Sequence, residues 1–409
     1  MPLAPRRILL ADADAFYVAV ARMMDPEGAG KAELLIVGGT RESRGVVCSA
    51  SYETRRYGVR SAMPISRALR LCPQAMCVPV PRGACSREHR KIRAVLDRFA
   101  PIVESASIDE WYMDLGGTEA LYHNEPLADT ARRIREAVLE ETKLSVSIGG
   151  GTTKLVAKLA VERAKPKPGT GATGIHVVAP GDEGEFLASF SLAELPLVGP
   201  KFQERLAKLG LRTVRDVLPY DAAALQRWLG DREGEWLYER VRGIDRSEVE
   251  SRGEAKSISR DETFSEDLED DDDLHRELLA LVTRAASDLR ADGLTARTIT
   301  VRIRDFDFRN RSASRTLPRG VIADRIVHGV AKALLAKLRS DRRVPARLLG
   351  VALSSLAADP DADQLTLFEN ALSDAEETPR DRALARAVDR LRERFGRDGI
   401  VPARLANEE

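Results

Sequence analysis

The sequence has few cysteines and no long hydrophobic run, and each absence excludes a class of protein. Nowhere do about eighteen apolar residues follow one another, as a membrane-spanning helix requires. Four cysteines in 409 residues are too few to form the disulfide framework of a secreted protein. We therefore expect a cytoplasmic protein that is neither secreted nor embedded in a membrane.

Three of the cysteines lie close enough in sequence to suggest a metal site. Cys72, Cys77 and Cys85 are followed by His89, and cysteine and histidine are the usual ligands of structural zinc. The gaps between these cysteines lack the tight paired spacing of such sites. The sequence therefore favours reduced thiols over a zinc centre.

Neither sign of charge is in excess over the whole chain, although each sign is concentrated in one stretch of it. Lysine plus arginine and aspartate plus glutamate both number 64, so the zero net charge says nothing about a polyanionic partner. Residues 261–277 contain ten acidic side chains and one basic one, whereas residues 297–319 contain seven arginines and two aspartates. This distribution predicts an acidic stretch, solvated or at a helix N-terminus, beside a basic, strand-forming stretch.

The length predicts several domains, because 409 residues exceed the roughly 250–300 residues at which single cores stop growing. Short β-type runs alternate with amphipathic helical stretches in residues 1–180, which predicts an α/β domain. Residues 181–243 predict short helices separated by glycines, and residues 244–256 a linker poor in apolar side chains. Residues 257–357 predict an α+β domain, followed by an acidic tail over residues 358–409.

The glycine-rich residues 149–154 suggest a phosphate-binding loop. Their sequence, Gly-Gly-Gly-Thr-Thr-Lys, lacks the order of glycines, lysine and hydroxyl residue that such a loop requires. We therefore predict a tight turn that leads into a helix.

Three acidic residues lie where apolar strands end. Asp12 follows residues 8–10, and Asp109 with Glu110 interrupts the strand-like residues 106–115. A desolvated carboxylate is costly, and Mg²⁺ prefers oxygen ligands of this kind. These acids either converge on divalent metal ions or, taken singly, cap helices and end strands in turns.

Four motifs contain these acids and their neighbours. They are Asp-Ala-Asp-Ala-Phe-Tyr at residues 12–17, Ala-Ser-Tyr-Glu-Thr-Arg-Arg-Tyr-Gly at 50–58, Ser-Ile-Asp-Glu at 107–110 and Ala-Lys-Pro at 164–166. In order and spacing they resemble the signatures of the Y-family translesion DNA polymerases, most closely the bacterial DNA polymerase IV branch. The resemblance implies a template-dependent DNA polymerase that adds deoxynucleotides to a primer 3′ end and copies damaged template.

The resemblance also implies a right-hand architecture of α/β and α+β domains. Residues 1–16 and 79–180 would form a ferredoxin-like palm, and residues 17–78 small fingers. Residues 181–243 would form a helical thumb with a helix-hairpin-helix motif, and residues 257–357 a DNA-gripping little finger. Two alternatives stay open: a catalytically inactive relative that acts as a scaffold, and a nucleotidyl cyclase with a similar palm.

The resemblance implies a catalytic metal site made by the side chains of Asp12, Asp109 and Glu110 and the backbone carbonyl of Ala13. The site would hold two Mg²⁺ ions, with Mn²⁺ as a substitute, for two-metal nucleotidyl transfer. Asp14 is not a metal ligand in the family, so we predict a structural role for it.

A second set of residues is implied to bind the incoming nucleotide. Tyr17, beside Phe16, corresponds to a steric gate that excludes the ribose 2′-hydroxyl, unless it is an ordinary core aromatic residue. Contacts to the triphosphate, through directed hydrogen bonds and a point charge, are implied at Ser49, Tyr52, Arg55 and Lys165. Threonine is usual at position 49, and serine retains its hydroxyl.

Two regions are predicted to hold DNA without reading its sequence. Residues 195–201 resemble a helix-hairpin-helix, in which Gly199 and Lys201 would contact a phosphate and Leu197 replaces a usual glycine; an ordinary helix pair is the alternative. Five arginines on two predicted strands would contact duplex phosphates, unless they form only a solvated face. They are Arg302, Arg304, Arg309, Arg311 and Arg315.

The tail contains a peptide that resembles the motif by which bacterial polymerases bind the sliding clamp, the beta subunit. Its contacts would be Gln364, Leu365, Leu367 and Phe368, unless the apolar side chains fold back onto the chain's own surface. A helical pattern over residues 380–395 follows, and the sequence leaves its packing open. We expect a monomer whose partners are primer-template DNA, a dNTP and the clamp.

Overall fold

The computed structural model describes residues 5–41, 44–166, 171–251, 253, 255–359, 377–396 and 399–405. The chain divides into two compact units, of which unit 1 comprises residues 1–41 and 46–253 and unit 2 comprises residues 42–45 and 254–409. None of the helices in the described ranges has the length and apolar character needed to cross a membrane. Each unit is considered separately below.

Unit 1 opens with an α/β region that contains eight strands and six helices. In chain order they are β1 (Ile8–Ala13), α1 (Phe16–Met24), β2 (Leu35–Gly38), β3 (Ser49–Ala50), α2 (Tyr52–Arg55), α3 (Ile65–Leu71), β4 (Met76–Pro79), α4 (Arg82–Leu96), β5 (Ile102–Ser105), β6 (Glu110–Asp114), α5 (Leu127–Thr142), β7 (Val146–Gly151), α6 (Lys154–Ala164) and β8 (Ile175–Val177). They form a five-stranded sheet, in the order β5-β6-β1-β7-β8, and a smaller sheet, in the order β3-β2-β4.

The central strand β1 explains the apolar run near the N-terminus. All six of its residues are buried, because helices cover both faces of the sheet. Leu9 and Ala11 belong to the core that α4 and α5 complete, whereas Ile8 and Leu10 pack with residues of α6. Asp12 follows Ile8 and Leu10 at alternate positions of β1, so its side chain projects from the same face, toward α6.

The glycines at positions 149–151 lie in a strand, so the prediction of a tight turn there is wrong. They form the end of β7, and the turn to α6 contains only Thr152 and Thr153. A Cβ added to Gly149 would lie 2.1 Å from the amide nitrogen of Val161 and 2.3 Å from the carbonyl oxygen of Ala157. The absence of side chains allows α6 to pack directly against the strand.

Helices make up the rest of unit 1. They are α7 (Glu183–Ala188), α8 (Pro200–Lys208), α9 (Val214–Val217), α10 (Ala222–Leu229) and α11 (Asp231–Val241). Their apolar faces form one core. The predicted linker then runs along the α/β region: Val249 is buried beside Ile8 and Leu10, and the carboxylate of Asp245 accepts a hydrogen bond from the amide of Leu155.

Unit 2 contains a four-stranded antiparallel sheet with two long helices on one face. Its elements are β9 (Ser257–Leu268), α12 (Asp271–Ala291), β10 (Leu294–Asp305), β11 (Asn310–Val321), α13 (Asp324–Asp341), β12 (Ala346–Ala358) and α14 (Pro379–Phe395), with the sheet order β11-β10-β12-β9. Part of the acidic stretch lies in the first turn of α12, where it complements the helix dipole as predicted. Strand β9 was not predicted.

The late helical pattern forms α14, which packs on unit 2 through ion pairs. Arg290, almost fully buried, binds Asp389 at 2.5 Å and Asp324 at 2.7 Å. On α14 itself, Arg382 binds Asp359 at 2.7 Å and Glu377 at 2.7 Å. These two acids flank residues 360–376, which lie outside the described residues.

The packing of α6 against β7 gives a test of the fold. Gly149→Ala should lower the free energy of unfolding by about 2–3 kcal/mol, because a methyl group there would overlap backbone atoms of α6. Gly184→Ala in α7 is the matched control, since a Cβ at that position meets nothing within 4 Å. Urea unfolding of both variants measures the difference, and equal stabilities would contradict the close approach.

Candidate active site

The catalytic acids predicted from the sequence come together through the pairing of two strands. In the register of β1 and β6, Asp12 lies directly opposite Glu110, and directly opposed residues project from the same face of a sheet. The amide of Ala13 donates a hydrogen bond of 2.9 Å to the carbonyl of Asp109. The backbones of Asp12, Asp109 and Glu110 therefore lie side by side at one end of the central strands.

Each of the three acids has a polar partner. The Nζ of Lys165 lies 2.9 Å from Oδ2 of Asp12, and the Nζ of Lys158 donates to Oε1 of Glu110 at 2.6 Å. The hydroxyl of Ser107 donates to Oδ1 of Asp109 at 2.5 Å. Lys158 was not predicted. Its spacing of seven residues from Lys165 corresponds to two helical turns, which is the signal that could have identified it.

Burial controls the electrostatics of this cluster. Asp12 is 6% exposed, and burial raises its pKa to about 7 against the opposing effect of Lys165. Burial alone would lower the pKa of Lys165, but the negative charges of Asp12 and Glu162 outweigh it and raise that pKa. Burial thus disfavours the anion of Asp12 even with Lys165 beside it.

The donor set fits a divalent metal. Carboxylate oxygens from Asp12, Asp109 and Glu110 are ligands of the hard type that Mg²⁺ and Mn²⁺ prefer. In the part of the chain that the structure describes, no three acidic, histidine or cysteine side chains already surround a common point. Lysine ammonium groups neutralise two of the three acids instead.

Asp14 is occupied by hydrogen bonds within the sheet, as expected for a structural residue. Its Oδ2 accepts from the hydroxyl of Ser145 and its Oδ1 from the hydroxyl of Ser147, both at 2.7 Å. These contacts join the end of β1 to β7, so the carboxylate has little capacity left for a metal.

The start of α1 lies next to the acids. Ala15, in the left-handed conformation with φ 46°, allows the chain to turn directly from β1 into the helix. Among the described residues, no acceptor is found for the amides of Phe16 and Tyr17, which belong to the first helical turn. Such amides bind anions. Phe16 packs its ring in the core at 2% exposure, so only its backbone can contact a nucleotide.

Tyr17 lies at the boundary of the core, close to the acids. Its ring centroid is 5.9 Å from that of Phe16. Burial, and then the negative charge of Asp109, raise the pKa of Tyr17 above its ordinary value. The ring is therefore packed against the core and also lies near the predicted metal-binding acids. This position is suited to contact a bound substrate.

The predicted triphosphate residues of the fingers lie around α2. The guanidinium of Arg55 is 4.9 Å from the ring centroid of Tyr52, and its Nε donates to the carbonyl of Ala50 at 2.9 Å. Burial, followed by the charge of Asp14, raises the pKa of Tyr52. Ser49 is buried in β3.

Family models match most of the chain. The impB/mucB/samB family model matches residues 11–162, its C-terminal domain model matches residues 255–367, and a model of the DNA polymerase-iota thumb domain matches residues 193–245. The DNA polymerase IV of Halorhodospira halophila (strain DSM 244 / SL1) is 38% identical over 352 residues, which cover 86% of this chain and 95% of the relative. The chain belongs to the Y family of DNA polymerases.

Further comparisons place the polymerase in the DNA polymerase IV branch and agree on the fold. The DNA polymerase IV of Desulfatibacillum aliphaticivorans is 35% identical over 98% of this chain and 97% of its own length. A solved Y-family DNA polymerase chimera matches with a TM-score of 0.73 and 25% identity over 86% of this chain and 99% of that chain. DinB from Sulfolobus solfataricus matches with a TM-score of 0.57 and 27% identity over 85% and 98%.

These findings confirm the predicted fold class and function. The polymerase carries out template-directed translesion DNA synthesis and is a metal-dependent nucleotidyltransferase. The thumb and C-terminal domain models both match, which excludes a nucleotidyl cyclase because that enzyme would lack both modules.

The thumb hairpin of the polymerase contains an exposed leucine in a strained conformation. Leu197 has φ 71° and is 80% exposed, as expected where a glycine is usual. Gly199 precedes the first residue of α8, and Lys201 is exposed in its first turn. Among the described residues no acceptor is found for the amides of Gly199 and Lys201, which are the ones at this helix start that a phosphate could bind, because Pro200 has no N–H.

The arginines of unit 2 fall into three groups. Arg302 and Arg304 alternate with the buried residues of β10 and so lie on the sheet face that the helices leave open. Arg302 binds Asp261 at 2.9 Å, and Arg304 donates to Asn310 at 2.7 Å. A second group, at the edge strand β11 and its turn, contains the exposed residues Arg309 and Arg315. Arg311 alone forms the third.

The prediction that Arg311 contacts DNA is wrong. Its guanidinium is largely buried and donates two hydrogen bonds, of 3.0 and 2.8 Å, to the carboxylate of Asp305, which is fully buried. Arg342 binds the same carboxylate at 2.5 Å. Arg311 thus neutralises an internal acid that the sequence did not show to be internal.

The open face of β10 gives a test of DNA binding by the polymerase. Arg302→Ala with Arg304→Ala should weaken primer-template binding for every sequence and reduce the slope of log affinity against log salt by about one per lost phosphate contact. Changing Arg276 and Arg284 on α12 to alanine is the control, because α12 covers the opposite face. Fluorescence anisotropy measures both slopes, and equal slopes would show a merely solvated face.

Proposed function

We propose that Asp12, Asp109 and Glu110, with the carbonyl of Ala13, hold two Mg²⁺ ions in the polymerase. The observation that supports this best is the pairing of Asp12 opposite Glu110. Lys158 of α6 neutralises Glu110, and Lys165, directly after α6, neutralises Asp12. Acids that are buried together need positive charge close by. Divalent ions would supply that charge when substrate is bound, with Mn²⁺ as a substitute for Mg²⁺.

The protein's own groups then divide the work of nucleotidyl transfer. When bound, the ions supply positive charge to the attacking 3′ oxygen and to the phosphates. Lys165 provides a cation on the side where the pyrophosphate leaves, and the amides of Phe16 and Tyr17 at the start of α1 donate hydrogen bonds to phosphate oxygens. Before the ions bind, Lys158 holds the Glu110 carboxylate in place through its bond of 2.6 Å.

The nucleotide would be held between the palm and the fingers. Tyr52 and Arg55, which stack on each other, present a hydroxyl and a planar guanidinium to the triphosphate. The hydroxyl of Ser49 serves the same phosphates. The ring of Tyr17 lies beneath the sugar and clashes with a 2′-hydroxyl, so that deoxynucleotides are selected.

DNA would be held by the thumb and the little finger. Gly199 and Lys201 bind a backbone phosphate at the start of α8. Arg302 and Arg304 on the open face of β10, with Arg309 and Arg315 near its edge, track the phosphates of the duplex. The polymerase would act as a monomer on primer-template DNA and a dNTP.

The metal site is tested by removing one acid. Asp109→Ala should leave a folded protein and reduce primer extension by about a hundredfold or more, because the developing phosphate charge loses its compensation. Asp129→Asn, at an exposed position of α5, is the matched control and should extend normally. Near-normal extension by Asp109→Ala would remove this residue from the metal site.

The proposed sugar gate is tested by removing the ring of Tyr17. Tyr17→Ala should increase ribonucleotide use relative to deoxynucleotide use by about tenfold or more, since discrimination here depends on a clash. Tyr17→Phe keeps the ring and should keep the selectivity. Single-nucleotide incorporation rates for dNTP and rNTP give the ratio, and an unchanged ratio in Tyr17→Ala assigns selectivity to another residue.

The proposal also includes a tether to the bacterial sliding clamp through residues 364–368. All four predicted contacts lie outside the described residues, so the proposal depends on the sequence and on the flanks. Arg382 binds both Asp359 and Glu377, at 2.7 Å each. One guanidinium thus joins the two described residues on either side of residues 360–376. Binding to the clamp would raise the effective concentration of the polymerase at the primer end.

Clamp binding is tested with an exchange of apolar residues. Leu367→Ala with Phe368→Ala should leave extension on short primer-templates unchanged and abolish its stimulation by loaded clamp. Leu384→Ala with Leu391→Ala is the control, because both leucines are exposed on α14. A full response of the first double variant to the clamp would show that the tether lies elsewhere.

A further inference from the structure

The two acids Asp109 and Glu110 lie at the turn between β5 and β6, and one side chain from another element supports this turn. The backbone closes it through hydrogen bonds from the amides of Ala106 and Ser107 to the carbonyl of Glu110, at 2.9 and 3.3 Å. The carbonyl of Ile108, at the tip, lies 2.9 Å from Nδ1 of His89 on α4. Ile108 directly precedes Asp109.

The geometry determines which nitrogen of His89 carries hydrogen. A carbonyl oxygen only accepts, so Nδ1 must be the donor. Nε2 is 3.4 Å from the hydroxyl of Ser105, and Arg93 donates to the same hydroxyl oxygen at 3.2 Å. The serine hydrogen is therefore free to point to Nε2, which acts as an acceptor in the neutral ring.

The ring of His89 also contacts Trp111, the residue that follows the two acids in sequence. It stacks on Trp111 with a centroid separation of 5.0 Å and an interplanar angle of 29°. Trp111 is fully buried and directly follows Glu110. One imidazole thus holds the residue before Asp109 by a hydrogen bond and the residue after Glu110 by stacking.

We propose that His89 is a positioning residue that fixes Asp109 and Glu110 in the conformation required for metal binding. This inference depends on the proposed role of the two acids as metal ligands. Groups that orient ligands from behind typically change metal affinity or activity by about 10–100-fold when they are removed. An ordinary core histidine would affect folding stability but not metal affinity in the folded enzyme.

Two substitutions separate the hydrogen bond from the ring. His89→Phe keeps an aromatic ring against Trp111 but has no donor, whereas His89→Asn places an amide nitrogen near the position of Nδ1. Binding of Mn²⁺ to the full chain with primer-template and a non-hydrolysable dNTP can be followed by electron paramagnetic resonance of the free ion. We expect about tenfold weaker binding in His89→Phe and near-normal binding in His89→Asn.

Three results would overturn the proposal. They are unchanged Mn²⁺ affinity in His89→Phe, an equal loss in His89→Asn, or a wild-type ring that carries no hydrogen on Nδ1 in nitrogen-15 NMR spectra of labelled histidine. The NMR measurement needs no variant and is decisive even when substitutions prevent folding. Asp109→Ala distinguishes failure of the metal site from failure of the His89 proposal. If Asp109→Ala binds Mn²⁺ normally, the proposed metal site is wrong. If Asp109→Ala loses Mn²⁺ binding and His89→Phe binds normally, only the role of His89 is refuted.

Discussion

The pairing of Asp12 opposite Glu110 across β1 and β6 is the constraint on which the rest of the site depends. The strand register fixes both side chains on the same face of the sheet, so the two carboxylates share the space beneath α6. Asp12 is buried and Glu110 half-buried, so two negative charges here need positive charge close by. The structure supplies it through Lys158 and Lys165.

Helix α6 performs this role because it lies unusually close to the sheet. The glycines of β7 remove the side chains that would separate the two layers. Lys154 continues the pattern by binding Glu104 of β5 at 2.7 Å. Three lysines, in and directly after one helix, thus match three acids on neighbouring strands, and the apolar residues between them, such as Ala157 and Val161, pack against β1.

Much of the site could be predicted from the sequence because the acids, Tyr17 and the fingers residues lie in continuous motifs. Residues whose role depends on packing could not be. The glycines of β7 carry no side-chain pattern from which a strand can be inferred. Arg311 differs from Arg302 only in facing a buried carboxylate, and Lys158 resembles any solvated lysine until the register of β6 brings Glu110 beneath it. Contacts between distant segments decide each of these cases.

Asp12, Asp109 and Glu110 would hold metal ions in place of the lysine ammonium groups when substrate binds. Crystals of the polymerase with primer-template, a non-hydrolysable dNTP and Mn²⁺ test it through anomalous scattering. We expect two manganese peaks within bonding distance of Asp12, Asp109 and Glu110, with Lys158 and Lys165 no longer bonded to the acids. Manganese bound elsewhere, or lysine bonds that persist unchanged beside an ordered nucleotide, would contradict it.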